Sequence, residues 1–219
     1  AFGWQALAGN TTGTYNTAYG AQALEANTTA NSNVAVGYQA LHVNTTGTSN
    51  TAVGAYALTA NTTADDNTAI GRESLEANTT GYSNCAVGKA AMHANTTGFK
   101  NTAVGVNALA TNTDGDYNTA VGEAALIAST TANNNTGVGY KALFACTTGQ
   151  FNVAVGDEAL DAITTASYNT AVGRQALTSA TGGQNDAFGN RAGYAISTGS
   201  LNTVVGNHAG YNITTGDNN

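Results

Sequence analysis

The sequence predicts an all-β fold, a parallel β-solenoid or β-roll with one 17-residue coil per repeat. Three observations predict it: an Asn-x-x-x-Gly motif that recurs every 17 residues, a β-branched, small, β-branched triplet inside that motif, and a turn-forming segment later in the unit with the consensus Asn-Thr-Thr-Gly. A repeat of this length cannot bury an apolar face alone, so successive repeats stack. Stacking at about 4.8 Å per coil predicts an array about 60 Å tall.

A single repeat array accounts for the whole chain, residues 1–219. A partial repeat covers 1–15, twelve repeats cover 16–218, and Asn219 begins another; the unit 169–184 is one residue short, with the loss between Thr178 and Gln184. Because both ends fall inside a repeat, we expect the chain to be part of a longer array. Column one denotes the Asn that begins each repeat, and column seventeen is the last residue of a full unit.

Column one is Asn in all twelve full repeats. We interpret it as a ladder of side-chain amides that bond from coil to coil; a ligand-binding row is the alternative. The residues of this ladder are Asn16, Asn33, Asn50, Asn67, Asn84, Asn101, Asn118, Asn135, Asn152, Asn169, Asn185 and Asn202.

Column five is Gly in all twelve repeats, where it ends the predicted strand. A residue without a Cβ is typical of a corner with positive φ or of a close backbone approach. The corner glycines are Gly20, Gly37, Gly54, Gly71, Gly88, Gly105, Gly122, Gly139, Gly156, Gly173, Gly189 and Gly206.

Columns two to four predict one short strand per repeat, as in Thr51-Ala52-Val53. Val34, Cys85 and Val153 replace Thr in column two, so we expect columns two and four to share the buried face and Ala and Gly to lie on the other. Columns eight and nine, Ala-Leu in most repeats, predict a second apolar patch and a second short strand. A helical repeat is the alternative, but glycines at fixed places and clustered Thr residues would interrupt any helix longer than about two turns.

The charge pattern predicts which columns face water and which partners are excluded. Seventeen of the 19 charged residues fall in columns six, seven, ten, sixteen and seventeen, and Asp114 and Asp186 are the exceptions. A net charge of -7 with only six Lys and Arg leaves no electrostatic footprint for nucleic acid or an anionic membrane. No stretch approaches the roughly 20 apolar residues of a membrane span, so we expect no membrane insertion by this segment.

The titratable residues predict neither catalysis nor a metal or cofactor site. His42, His93 and His208 lie on separate repeats, with no Ser, Asp or Cys partner at a recurring spacing. Cys85 and Cys146 lie more than three coils apart, beyond the roughly 7 Å limit between the Cα atoms of a disulfide. We expect free thiols, unless Cys85 meets its own copies about a symmetry axis.

The predicted core is thin, because each coil buries chiefly one β-branched pair, one Leu and several Ala residues. Burial worth about 25 cal/mol per Å² must offset an ordering cost of roughly 1.5 kcal/mol per residue. We therefore expect self-association, as a homotrimer or a longer filament, with the small-residue or Leu faces packed about a common axis.

Three surface patterns leave ligand binding as an alternative function. Thr pairs in columns thirteen and fourteen, such as Thr28-Thr29, space hydroxyl and methyl groups as an ice-binding surface would. An aromatic strip in columns sixteen and seventeen, suited to sugar stacking or to packing between chains, comprises Tyr15, Tyr82, Phe99, Tyr117, Phe151 and Tyr168. Sequons, either by-products of the repeated turn or glycosylation acceptors, lie at Asn10, Asn27, Asn44, Asn61, Asn78, Asn95, Asn134 and Asn212.

The consensus N-T-A-V-G-x-x-A-L resembles the YadA-like head repeat of trimeric autotransporter adhesins over essentially all 219 residues. Residues 185–216, which contain Ala192-Gly193-Tyr194 and Ala209-Gly210-Tyr211, are also similar to repeats of phage and environmental tail-fibre-like proteins. The resemblance implies a left-handed roll, trimers and a location that is extracellular, on a cell surface or on a virion surface. The 17-residue unit is longer than the usual adhesin head repeat, and the Asn-Thr-Thr-Gly turn is not part of that consensus.

These patterns predict a non-enzymatic structural or adhesive fibre segment, such as the stalk or head of a surface adhesin, a tail fibre or an extracellular fibril. Its partners would be further copies of the chain and a cell-surface receptor or carbohydrate. A solenoid that binds ice or glycan is the alternative. A mechanical role requires only that every coil stacks, whereas ligand binding requires one specially decorated face.

Overall fold

The computed structural model describes residues 1–219 as one parallel β-solenoid, which confirms the predicted all-β tandem repeat and excludes the helical alternative. Each full repeat contributes one three-residue strand, and the twelve strands pair in chain order in a single sheet. Nowhere does the chain form an apolar helix of the length needed to cross a membrane. The strands are β1 (Thr17–Tyr19), β2 (Val34–Val36), β3 (Thr51–Val53), β4 (Thr68–Ile70), β5 (Cys85–Val87), β6 (Thr102–Val104), β7 (Thr119–Val121), β8 (Thr136–Val138), β9 (Val153–Val155), β10 (Thr170–Val172), β11 (Asp186–Phe188) and β12 (Thr203–Val205).

The register pairs every strand residue with its equivalent in the next repeat, as in Ala52 with Ala69. The shortened unit keeps this register, because Thr170 of β10 still pairs with Asp186 of β11. Its missing residue is the column-fourteen Thr, since Gly182 lies against the carbonyl oxygen of Gly199, as column-fifteen residues do elsewhere. The deletion is therefore absorbed by one turn and does not reach the sheet.

The turns are hydrogen-bonded from coil to coil as well, although they form no second strand. Of the 142 backbone hydrogen bonds, 120 lie outside the strands. The N–H of Leu24 donates to the carbonyl of Ala40 at 3.0 Å, and the N–H of Ala26 donates to that of His42 at 3.0 Å. The prediction of a strand at columns eight and nine is wrong, because the column-nine residue adopts the left-handed conformation, with φ of 52° at Leu58.

The predicted burial of the strand faces is also wrong. Ala52 and Ala69 in column three are fully buried, whereas Thr51 and Val53 face outward and are half-buried. The interior leaves room for a small side chain only: a Cβ on Gly137, the one glycine in column three, would lie 3.5 Å from the side chain of Leu126 and 3.2 Å from the carbonyl oxygen of Ala142. The β-branched columns are recurrent because they favour extended backbone, not because they are buried.

The core of each coil is closed within the chain. It consists of the Ala columns three and eight and the Leu column nine, joined in the C-terminal half by the column-twelve residues Cys146, Ile163, Ala180 and Ile196. The prediction that small-residue or Leu faces pack between chains is wrong, because those faces already contact one another inside each coil. The largest fully buried side chains are Leu24, Leu41, Leu58, Leu75, Met92, Leu109, Leu126, Leu143, Leu160, Ile163, Leu177 and Ile196.

The corners of the coil depend on left-handed backbone. The corner glycines of the twelve repeats have φ between 128° and 140°, and a Cβ on Gly105 would lie 2.5 Å from the carbonyl oxygen of Gly122 in the next coil. Three further residues of a coil are left-handed without being glycine, as at Tyr56, Leu58 and Asp66. Such residues are unfavourable for L-amino acids, so the stacked neighbours must hold them in place.

Candidate functional site

The column-one asparagines bond each coil both to its neighbour and to itself. The N–H of Asn67 donates to Oδ1 of Asn50 at 3.0 Å, and Nδ2 of Asn67 donates to the carbonyl of Gly81, in its own coil, at 2.9 Å. Twelve coil-to-coil bonds of this kind, 2.8–3.2 Å long, run without interruption from Asn16 to Asn219. Because these amides are engaged and, over most of the array, buried, the geometry favours a structural role over a ligand-binding row.

A second amide ladder lies in column twelve, which the sequence analysis treated only as turn chemistry. Nδ2 of Asn27 donates to Oδ1 of Asn10 at 2.8 Å, and the same bond recurs in every coil up to Asn112. Every coil-to-coil bond of this ladder joins side chain to side chain, whereas column one uses the backbone N–H in every coil and adds a side-chain bond only from Asn101 onward. The signal in the sequence was an Asn at an invariant spacing over seven consecutive coils, equal to that of column one, but the adjoining Thr-Thr-Gly obscured it.

The column-twelve ladder ends at Asn112 with two orphaned atoms. Ser129 occupies the next position, and Oδ1 of Asn112 and Oγ of Ser129 are both buried without a hydrogen-bond partner. Beyond this point column twelve is Cys146, Ile163 and other residues that cannot continue an amide ladder. The array therefore has two halves with different interiors behind one common sheet.

The same ladder bears on the candidate glycosylation acceptors. Asn27, Asn44, Asn61, Asn78 and Asn95 are fully buried, and their Nδ2 atoms, to which an N-linked glycan would be attached, donate hydrogen bonds. The structure therefore argues against glycosylation of these five in the folded chain. The sequons that remain accessible are the exposed Asn134 and Asn212, whereas Asn10 is half-buried and its Nδ2 donates to the carbonyl of Gly13 at 3.0 Å.

The Thr pairs do not form the two-row surface expected of an ice-binding face. In column thirteen, Oγ1 of Thr45 donates to the carbonyl of Thr62 at 3.1 Å, and this bond recurs along the array. From Thr28 to Thr147 the column-thirteen residues are half-buried, whereas column-fourteen residues such as Thr46 and Thr63 are exposed. The turn therefore presents a single row of Thr side chains to solvent.

The predicted aromatic strip is divided into short stacks. Tyr82 and Phe99 are parallel with ring centroids 4.9 Å apart, and Tyr117 meets Phe99 edge-on at 5.3 Å. Phe151 and Tyr168 form a separate parallel stack at 5.1 Å. These contacts stabilise neighbouring coils against each other and leave part of each ring exposed.

The most extended unpartnered surface is the outward side of the sheet. We call the side chains of columns two and four in strands β1–β12 the outer sheet face. Column two is mostly Thr, column four is mostly Val, and Asp186 is the one charged residue in either column. The sequence alone does not indicate this surface, because the β-branched residues of these columns predict a place in the core.

Exposed apolar side chains cluster on and beside this outer sheet face. Seventeen of the 19 large hydrophobic residues that are exposed lie in columns two and four or in the flanking columns six and seventeen. These residues are Phe2, Trp4, Tyr15, Tyr19, Tyr38, Ile70, Val104, Val106, Tyr117, Tyr140, Phe151, Val153, Val155, Tyr168, Phe188, Leu201 and Val205.

The titratable side chains remain dispersed along the array. Nδ1 of His42 lies 3.4 Å from Glu25, and Nδ1 of His93 lies 3.3 Å from Glu76, each pair joining adjacent coils. Burial raises the pKa of Asp161, and the charge of Glu158 raises it further. The structure brings together no group of three His, Cys, Asp or Glu side chains that could hold a metal ion.

The two cysteines, both free, lie in different environments. Cys146 is buried in column twelve, 3.5 Å from the carbonyl oxygen of Gly149, and burial raises the pKa of its thiol to about 11. Cys85 lies on the outer sheet face in β5 and is half-buried. The thiol of Cys85 can therefore contact any molecule that binds to the outer sheet face.

Comparison with known proteins adds no relative whose function bears on this geometry. The chain matches no protein-family model, no curated protein and no solved structure.

Proposed function

We propose that the chain is a non-enzymatic structural segment of a fibre, in which the stacked repeats form a stiff, extended rod. The observation that carries the proposal is the uninterrupted bonding between coils: the Asn ladder continues from Asn16 to Asn219, through the shortened unit, without losing a coil-to-coil bond. A binding module needs one specialised region, whereas here almost every coil repeats the same contacts.

The same bonding accounts for the stiffness we attribute to the rod. Sliding one coil over the next would break the strand pairing, the hydrogen bonds between turns and the Asn ladder together. It would also bring the corner glycines, which already approach the next coil closely, into collision. Bending or shearing at one coil is therefore opposed on every side of the chain.

The setting we propose is a self-associating fibre, homotrimeric and left-handed, in an extracellular adhesin, tail fibre or fibril. The YadA-like motif and the low content of charged residues, 9%, support this setting. A carbohydrate or a cell-surface receptor is the expected partner of such a fibre. The alternative, a solenoid that binds ice or glycan, would use the exposed threonines or aromatic rings without requiring association.

Mass and shape in solution test the proposal together. We expect light scattering to give about three times the chain mass of 21.9 kDa, and negative-stain electron microscopy to show straight rods about 60 Å long. A compact particle would contradict the rod. A monomeric rod that produces thermal hysteresis in ice growth, or that is retained by one glycan on an array, would favour the alternative.

A further inference from the structure

We infer that the outer sheet face is the surface on which a second copy of this chain docks. The inference rests on the proposed self-associating fibre and names the surface that it uses. It replaces the faces that the sequence had indicated, since the Ala and Leu columns are enclosed within each coil.

The composition of the surface fits a protein interface. Its centre is uncharged over eleven of the twelve strands and combines a row of mostly Thr with an apolar row of mostly Val, in which Val104 and Val155 are each more than a third exposed. Its column-six edge carries charges of both signs, among them Arg72, Lys89 and Glu123. An apolar centre, a polar rim and aromatic residues between them are the anatomy of specific interfaces.

The outer sheet face is large enough to form a protein interface of standard size. Twelve strands at about 4.8 Å give a length of about 53 Å, and columns seventeen to six, six residue steps of at most about 3.3 Å, are up to about 20 Å wide. The planar area is therefore up to about 1,000 Å² per copy, which is enough for the roughly 800 Å² that each partner buries in a standard-size interface. This area becomes available only because the register holds over the whole sheet.

The period of the surface selects a second copy over other partners. Copies with one and the same rung spacing can interdigitate rung by rung along their entire length when they pack about a common axis. A globular partner has no matching period. Ice would require a flat, uniform face, but Tyr19, Phe188 and Asp186 interrupt the Thr and Val rows.

The position of Cys85 distinguishes a parallel from an antiparallel association of the copies. In a parallel association about a common axis, the Cys85 residues of all copies lie on the same rung, so a short thiol–thiol cross-linker can join two of them across the interface. In a fully overlapped antiparallel pair, β5 lies opposite β8, and the two thiols are about three rungs, or 14 Å, apart.

The test places charge on the face without changing the core. Val53→Lys, Val87→Lys and Val121→Lys are combined in one variant, and Thr63→Lys, Thr97→Lys and Thr131→Lys, in the same three coils but on the exposed turn, form the control. We expect the wild type and the control to keep the same multimeric mass, and the face variant to fall to 21.9 kDa with an unchanged circular dichroism spectrum. A Cys85–Cys85 cross-link that a short bismaleimide forms in the control but not in the face variant supports the parallel arrangement of the same faces.

Two outcomes would overturn the inference and are distinguishable from each other. A face variant that is folded and still multimeric removes this surface as the interface but leaves the fibre proposal standing. A wild type that is monomeric at all concentrations removes self-association itself. Thermal hysteresis that is present in such a monomer and lost in the face variant would assign the surface to ice instead.

Discussion

At the scale of single residues, the corner glycines and the asparagines explain why the repeat is so constant. Each corner Gly is positioned by two constraints at once, a φ near 135° and the carbonyl of the next coil. Each column-one Asn uses both ends of its amide. A change at either column therefore affects two coils, and the cost cannot be relieved by moving one of them.

Replacing Gly105 by Ala is expected to destabilise the array by at least about 3 kcal/mol, because its Cβ would lie 2.5 Å from the carbonyl oxygen of Gly122 in a left-handed backbone. The matched control is Gly137→Ala in β8, where every other coil except that of Val204 already has Ala. We expect this control to change stability by less than about 1 kcal/mol. Urea unfolding followed by circular dichroism measures both, and equal losses would contradict the close-approach explanation.

Replacing Ser129 by Asn is expected to extend the column-twelve ladder by one rung. The new Nδ2 would donate to the orphaned Oδ1 of Asn112, and the unpartnered hydroxyl of Ser129 would be removed. We expect a gain of about 1 kcal/mol in the free energy of unfolding. Ser129→Ala serves as the control, since it removes the hydroxyl but leaves Asn112 unpaired; an Asn variant no more stable than the Ala variant would refute the ladder account.

The buried thiol of Cys146 predicts a pH dependence. Folding raises its pKa from the ordinary 9.0 to about 11, so below pH 9 both states keep the proton, and between pH 9 and 11 only the unfolded chain loses it. The free energy of unfolding should therefore fall in this window, with a limiting slope of about 1.4 kcal/mol per pH unit. The measurement is the difference between the wild type and Cys146→Ala in urea titrations at pH 8 to 10.5, and a difference that does not change with pH would be inconsistent with a buried thiol.

At the scale of the elements, the sequence predicted where the strand lies but not which way it faces. The triplet Thr51-Ala52-Val53 has the alternation of a strand, and alternation alone cannot tell the inner side from the outer. The usual assumption that the larger apolar residues are buried fails here, because the interior of so small a coil is filled by Leu58 and leaves space only for Ala opposite it. Only the path of the whole coil decides between the two sides.

The structure of the turns, too, could be predicted only in part from the sequence. The Asn-Thr-Thr-Gly segment was correctly recognised as a turn, but the left-handed residues at columns seven, nine and seventeen are ordinary residues such as Tyr56 and Leu58, so composition gives no sign of them. The amide ladder of column twelve was hidden for a related reason. Asn is a common residue in turns, so its presence there needs no further explanation. Its bond to the Asn of the next coil can be recognised only once the coils are stacked in the structure.

The shortened unit gives a prediction at this scale. In eleven of the twelve repeats the column-one Nδ2 donates to the carbonyl of column fifteen, but Nδ2 of Asn169 donates to the carbonyl of Ser167 instead. Inserting a Thr after Thr181 restores the missing residue, and we expect it to restore this bond and slow amide hydrogen exchange in residues 169–185. The matched insertion after Thr148, which lengthens a complete repeat, should accelerate exchange locally. Faster exchange after the first insertion would contradict the assignment of the gap to column fourteen.

At the scale of the whole molecule, the array was the most predictable feature and its association the least. A strict period determines the number of coils and their order, because each coil contacts only its neighbours. Association was inferred from a core judged too thin, but the buried amides of columns one and twelve fill much of the interior that the apolar residues leave. The surface available for association is therefore the outer sheet face.

Distances between spin labels along the rod test the in-register stack most directly. Thr29, Thr97, Thr131 and Thr165 all lie in column fourteen and are exposed, so labels can be attached in a background without the native cysteines. For Thr29 paired with Thr97, Thr131 and Thr165, four, six and eight coils away, we predict narrow distributions near 19, 29 and 38 Å in samples diluted with unlabelled chain. Distances that are broad, or that do not rise by about 4.8 Å per repeat, would contradict the stack.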